Sequence, residues 1–428
     1  MSHAVTRRSA RVAVLTSFLC LIVLGLPRPA AAKDQPECSN PSKVPNLAMN
    51  CPDLFAWQKF IEVNAPAVAG LVAFQTYSSD PDTFQCPAAD FKTCKADPKH
   101  AGCPIWPTDF APKPSLLTQR SVRGGKTTRH GLPEDDCWSY YNNEALEIVY
   151  RDRATFNYIV DHGLWYVEGL QVAFEQGFVF NFPVGATEVK TNWLPLTPEQ
   201  VASKRFYTMV SQGKTYGLVA MHVSSKALPN WFWSTFEHVD NWGRCDFLGC
   251  HDSFGSTPAN IPSHEKELCG KYTPGELTQP LQRMMEAAKL DPVFKNYRLK
   301  GSMTDYTDAT GSPILLGNSV TEAGFVPTAS CMTCHSRAAI QATPGGPNGL
   351  SPYPGVAGFT PEGQSYNGTP NPSWFYSGNH AIRRWSVQTD FVWALPFKAQ
   401  SDQATAQCCQ AFNAGTGGTC QCSGSACN

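Results

Sequence analysis

Cys331, Met332, Thr333, Cys334 and His335 form a C-x-x-C-H run, the spacing at which haem is attached covalently to protein. On a helix, positions i, i+3 and i+4 share a face, so Cys331, Cys334 and His335 would point the same way. Two thiols can then add to the porphyrin's vinyl groups while the imidazole ligates iron from below. Pro327 with Thr328 or Ser330 predicts the helix start, and Thr343-Pro344-Gly345-Gly346 its stop, leaving about three turns. Three other chemistries use cysteines so spaced: a zinc half-site, a thioredoxin-like redox pair and disulfides. Zinc needs more ligands, and the chain has no second C-x-x-C. A redox pair belongs at a strand-to-helix junction, whereas the residues before Cys331 read as loop.

Small electron carriers of the ordinary cytochrome c type complete the iron with a methionine downstream of the attachment site. Here no methionine follows Met332. The second axial ligand must come from upstream, be a histidine, or be absent. His222, on a rigid apolar run, is the leading candidate and would make a His/His, low-potential centre. His238, Met303 and His380 are the other residues considered. An open sixth position would admit peroxide or dioxygen and turn a carrier into an enzyme. Cys245, Cys250 and His251 form a C-x4-C-H run, a candidate second haem site. On a helix, positions five apart diverge, so a disulfide is the preferred reading of that pair.

These residues need a compartment and a housing. Residues 1–32 resemble a secretory signal: Arg7, Arg8 and Arg11, then an apolar run over Val12–Leu26, then Ala30-Ala31-Ala32. The run is short for a membrane span and no later stretch is long enough. Removing it takes four arginines and no acid, leaving 30 basic against 35 acidic residues, which gives no case for nucleic acid as a partner. Of 17 cysteines, Cys20 leaves with the signal and two would go to haem, so fourteen remain for up to seven disulfides. A periplasmic or secreted location agrees with both features.

The chain divides into the signal (1–32), a haem-binding domain (33–400) and a Cys-rich tail (401–428) carrying Cys408, Cys409, Cys420, Cys422 and Cys427. Apolar spacing predicts helices at Leu54–Val63, at Glu144–Gln176 with a break near His162-Gly163, and at Thr278–Lys289 with Thr278 as N-cap. Alternation predicts strands within Phe178–Trp193 and at Tyr216–Val223, and a last apolar strand at Asp390–Phe397. Trp231–Asn241 is an aromatic stretch, and Trp231, Trp233, Trp242 and Trp385 read as core and pocket wall. The basic run Arg120, Arg123, Lys126 and Arg129 reads as a solvated loop. The expected fold is mixed α+β with much irregular loop, one large disulfide-stapled domain around a haem on a short helix.

Several segments together resemble exported bacterial proteins of the cytochrome c family: FAWQKFIEVNAP, FPVGATEVKTNWLPL, YGLVAMHV, PNWFWSTFEHVDN, ILLGNSVTEAGFV followed by SCMTCHSRA, and TDFVWALPF. They span about residues 54–397. The resemblance implies one haem c on Cys331 and Cys334 with His335 as proximal ligand, and hence electron transfer with an unspecified redox protein or small-molecule donor or acceptor. The alternative is a haem-dependent oxidoreductase, peroxidase- or oxygenase-like, with an open or displaceable distal site.

Overall fold

The structure, a computed structural model, describes residues 40–108, 145–263, 268–341 and 386–400, with shorter stretches at 38, 110, 118–119, 137, 140–141, 367–372, 375–377, 383–384, 422–423 and 426–427. The proposed signal, the basic run at 120–129, His380, Trp385 and most of the tail lie outside the described residues.

Helix α1 (Pro52–Asn64) starts on Pro52, whose missing N–H costs nothing in a first turn. Strands β1 (Ser78–Ser79), β2 (Thr118–Gln119), β3 (Leu146–Arg151), β4 (Thr187–Pro195), β5 (Thr208–Ser211), β6 (Lys214–Ser225), β7 (Phe232–His238) and β8 (Tyr297–Met303) form one antiparallel sheet. Its path runs β1-β3-β4-β6-β7-β8, with β2 pairing β3 and β5 pairing β6. The architecture is therefore mixed α and β around a large antiparallel sheet.

Side chains alternate across a strand, so the register decides what each face carries. Val189 of β4 stands beside Val223 of β6, and Met221 of β6 beside Phe236 of β7. With Ile148, Tyr150 and Leu299 they build an apolar face that receives Trp57 and Phe60 of α1. The ring centroids of Phe60 and Phe236 are 4.4 Å apart, those of Trp57 and Phe236 5.0 Å. Burying each such side chain contributes roughly 2–3 kcal/mol.

The opposite face is buried as well, but polar. Lys190 of β4 pairs in register with His222 of β6, which pairs with Thr235 of β7. Asn192 and Glu237 continue this face. All seven residues of β7 are buried, so something must cover both sides of it. On the polar side that cover is the segment 318–322. Asn318 Nδ2 donates to Thr235 Oγ1 at 2.8 Å, Ser319 N to Glu237 Oε1 at 2.9 Å, and Thr321 Oγ1 to Asn192 Oδ1 at 2.7 Å. The segment thus docks on β7 through Asn318 and Ser319 and on β4 through Thr321, and satisfies polar groups that burial would otherwise penalise.

Helices α2 (Arg153–Asp161), α3 (Val167–Glu175) and α4 (Gln279–Ala287) flank the sheet region, and Thr278 caps α4 through Oγ1, as its sequence predicts. The motif lies on α5 (Cys331–Ser336), followed by β9 (Ala339–Gln341) and its antiparallel partner β10 (Ser386–Gln388), then α6 (Ala394–Lys398). A second apolar cluster, including Trp165, Phe182, Trp231, Trp233, Met303, Met332, Phe391 and Leu395, surrounds α5.

Four expectations are corrected. The helix expected over Glu144–Gln176 begins as strand β3, because Leu146–Arg151 pairs residue by residue with β4. The motif helix is six residues long instead of about three turns. Ala339 and Ile340 leave it to pair with Gln388 and Val387, so tertiary pairing stops it before Thr343-Pro344. Asp390–Phe397 is a turn leading into α6, not a strand, since Asp390 and Phe391 both take positive φ (49° and 69°). Trp242 is 44% exposed and is no pocket wall.

Four disulfides staple the described chain: Cys38–Cys51, Cys94–Cys103, Cys137–Cys269 and Cys245–Cys250. No helix among the described residues is long and apolar enough to cross a membrane.

Candidate haem site

Ser330 stands at the N-cap of α5, and its Oγ accepts from Thr333 N. Cys334 N donates to Ser330 O at 2.9 Å, closing the first turn. Leu316 N donates to Ala329 O at 3.0 Å, which ties the entry of α5 back to the covering segment. The helix thereby presents Cys331, Cys334 and His335 from one turn, as the spacing predicts.

Both cysteines are free thiols, Cys331 buried and Cys334 half-buried. Burial raises both thiols above their ordinary value, and the Glu322 carboxylate nearby raises them further, so they stay protonated. Their condition contrasts with the cysteines of the four disulfides. Two unoxidised thiols three residues apart, among described residues that carry four disulfides, fit thioether attachment and argue against a plain disulfide pair.

His335 is fixed through one nitrogen. Its Nδ1 lies 2.9 Å from Phe391 O, so that nitrogen carries the proton and Nε2 keeps its lone pair. A backbone carbonyl behind the non-ligating nitrogen is the usual way a protein orients a metal-binding imidazole. Burial pushes the imidazole down to about 3, helped by the positive charge of Lys190, so the ring is neutral and able to ligate. The ring packs against Trp233, centroid to centroid 4.5 Å.

His222 is in mid-strand on the same polar face as Trp233, one register step away on the neighbouring strand. Its Nε2 is buried and makes no hydrogen bond. The nearest carboxylate, Glu322 Oε2, is 3.5 Å away, an ion-pair distance without hydrogen-bond alignment. An orphaned buried imidazole nitrogen on the face that carries Trp233, against which His335 packs, fits a second axial ligand.

The other candidates are placed elsewhere. His238 has both nitrogens occupied, Nε2 at 3.0 Å from Arg205 O and Nδ1 accepting from Asp240 N, and stacks on Phe206 at 3.8 Å. Met303 sulfur accepts from Met332 N at 3.4 Å, so it supports α5 from behind. Cys245 and Cys250 are bonded to each other (S–S 2.02 Å), which leaves neither sulfur for a vinyl group. His251 is exposed, with Nδ1 against Asn260 Oδ1 and Nε2 3.5 Å from Asp53. Cys137, Asp246 and Cys269 sit at metal-binding distances, but the two sulfurs are a disulfide and Asp246 accepts from Cys269 N and Tyr272 Oη.

Sequence reading missed Glu322, Lys190 and the Phe391 carbonyl. Their segments stand among those carrying the family resemblance, yet nothing in their spacing reveals a role, because a backbone acceptor has no side-chain signature. The chain matches no family model, no curated protein and no solved structure.

Proposed function

We propose that this chain is an exported c-type cytochrome. Cys331 and Cys334 hold one haem through thioethers, His335 is the proximal ligand, His222 the distal one, and the function is one-electron transfer. Haem supplies the redox-active iron; the residues hold it and set its surroundings. The observation that carries the reading is the state of the motif: a free thiol pair beside an imidazole whose Nδ1 is anchored on a carbonyl. The disulfides support an oxidising compartment, in line with the signal-like residues 1–32.

His222 and Glu322 favour one second reading. A base 3.5 Å from a carboxylate is also what a haem oxidoreductase would place over an open iron to move protons. The two readings share the covalent haem and differ at the sixth position.

The test is expression of the full chain in a host that exports it and matures c-type cytochromes, followed by denaturing electrophoresis and a haem stain. Haem should stay with the chain, and Cys331→Ser with Cys334→Ser should abolish it. A well-folded, exported chain free of bound haem would overturn the proposal.

A further inference from the structure

Downstream of the motif, residues 389–392 adopt a conformation that has to be enforced. Asp390 and Phe391 are consecutive non-glycine residues with positive φ, 49° and 69°. An aromatic residue pays a steric penalty there, so the surroundings must hold it. This conformation is also what turns the Phe391 carbonyl onto His335 Nδ1 at 2.9 Å.

The restraint lies on the other side of the turn. Asp390 Oδ1 meets Lys226 Nζ at 2.5 Å, and Asp390 Oδ2 accepts from Phe182 N at 2.7 Å. Lys226 also donates to Pro229 O at 2.8 Å. Both charged residues are about 95% buried, at 6% and 5% exposure. Lys226 directly follows β6, and its N–H donates to Ala186 O just before β4. The turn is thus bolted to the ends of two central strands. Backbone bonds complete it, Thr389 N to Ala338 O and Val392 N to Thr389 O. A buried ion pair seldom repays its desolvation as stability, so one retained here asks for a positional role.

We infer that Asp390 and Lys226 are positioning residues for the proximal imidazole: their buried pair holds the strained Thr389–Val392 turn so that the Phe391 carbonyl fixes the tautomer and angle of His335. The inference deepens the cytochrome reading and rests on it for the role of His335, but the hydrogen bond itself exists without haem. A carbonyl accepting the Nδ1 proton makes the imidazole a stronger donor through Nε2 and favours ferric iron. Releasing it should raise the reduction potential.

The experiment uses the full exported chain, with and without haem, comparing wild type with Lys226→Met/Asp390→Asn and with Lys226→Arg. Removing both charges leaves no unpaired buried ion, and the arginine variant keeps the pair. Two quantities are read: the 15N shifts and Nδ1-proton exchange of His335 in the haem-free chain, and the reduction potential of the haem-bound one. The expected result is faster exchange and a mixed tautomer in the double variant, a raised potential, and wild-type behaviour in Lys226→Arg. If the double variant folds and both quantities equal those of wild type, the inference is overturned. A wild-type chain that takes no haem, while the variant still loses its tautomer preference, would remove the cytochrome reading and leave the latch standing.

Discussion

The imidazole of His335 rests on the indole of Trp233, ring centroids 4.5 Å apart and planes tilted by 48°. Trp233 belongs to β7 and is 5% exposed, so a core strand forms the wall against which the motif histidine is set. Trp233→Ala should destabilise the fold by roughly 3–5 kcal/mol through transfer loss and cavity, and Trp233→Phe by clearly less. Denaturant unfolding checks the first. In the haem-loaded chain, Trp233→Phe should also shift the optical bands, whereas an equally buried tryptophan remote from the motif, Trp57, replaced by Phe should not.

His222 and Glu322 decide which reading of the iron holds. With His222 as sixth ligand, the ferric and ferrous spectra should be low-spin and unmoved by cyanide or carbon monoxide. His222→Ala should then give a high-spin ferric form that binds both. Glu322→Gln removes the carboxylate 3.5 Å from His222 Nε2 and should leave the low-spin spectrum in place. A wild type that is high-spin and binds carbon monoxide would instead favour the oxidoreductase.

Glu237 and Lys300 are 0% and 2% exposed and sit 3.6 Å apart on the polar side of the sheet. Glu237 also accepts from Ser319 N and Oγ and from Asn241 Nδ2. Glu237→Leu alone strands the ammonium in the interior and should cost about 3–5 kcal/mol. Adding Lys300→Met should recover part of that loss, since it removes the unpaired charge. A double variant as unstable as the single one would show that the carboxylate acts mainly by anchoring Ser319 in the covering segment.

The disulfides differ in what they restrain. Cys137–Cys269 spans 132 residues and Cys245–Cys250 only 5. Chain entropy then assigns about 5 kcal/mol to the first and about 2 kcal/mol to the second. Paired Cys→Ser variants should lose stability in that order, read from denaturant midpoints.

What the sequence made legible follows from where the information resides. C-x-x-C-H is local, and so is the alternation of Tyr216–Val223, so the motif and strand β6 could be read directly. The helix at Thr278 was equally plain because its cap and proline are adjacent in sequence. Strand β3 was misread as helix because Leu146, Val149 and Tyr150 also fit a 3.6-residue period; pairing with β4 decides it, and that partner is some 40 residues away. The same holds for the short motif helix, which β10 ends from downstream. Met303, a candidate ligand from its residue type alone, is the last residue of β8 and its sulfur touches Met332. Contacts that join distant segments, such as Asp390 with Lys226 or Glu322 with His222, have no footprint in spacing at all.

Two buried groups oppose each other in mild acid, and substitution should separate them. Burial pushes His238 down to about 4, so between pH 6.5 and 4 the unfolded chain binds the proton that the folded chain refuses. Stability from this site is complete above 6.5 and falls as pH drops through that window, by on the order of 3 kcal/mol at full effect. Burial, reinforced by the charge of Asp53, pushes Asp252 up to about 6 against an ordinary 3.8. There the folded chain holds the extra proton, so its contribution is largest below 3.8 and is lost as pH rises through 6. His335, held down to about 3 by burial, loses stability in the same direction as His238, so the wild type should weaken from pH 6.5 to 4 with Asp252 offsetting only part of the loss. His238→Gln removes one of the two acid-labile contributions and should flatten that loss across the range. Asp252→Asn removes the offsetting contribution and should steepen the loss. Urea unfolding of the three proteins at closely spaced pH values measures both slopes, and parallel profiles would refute the assignment.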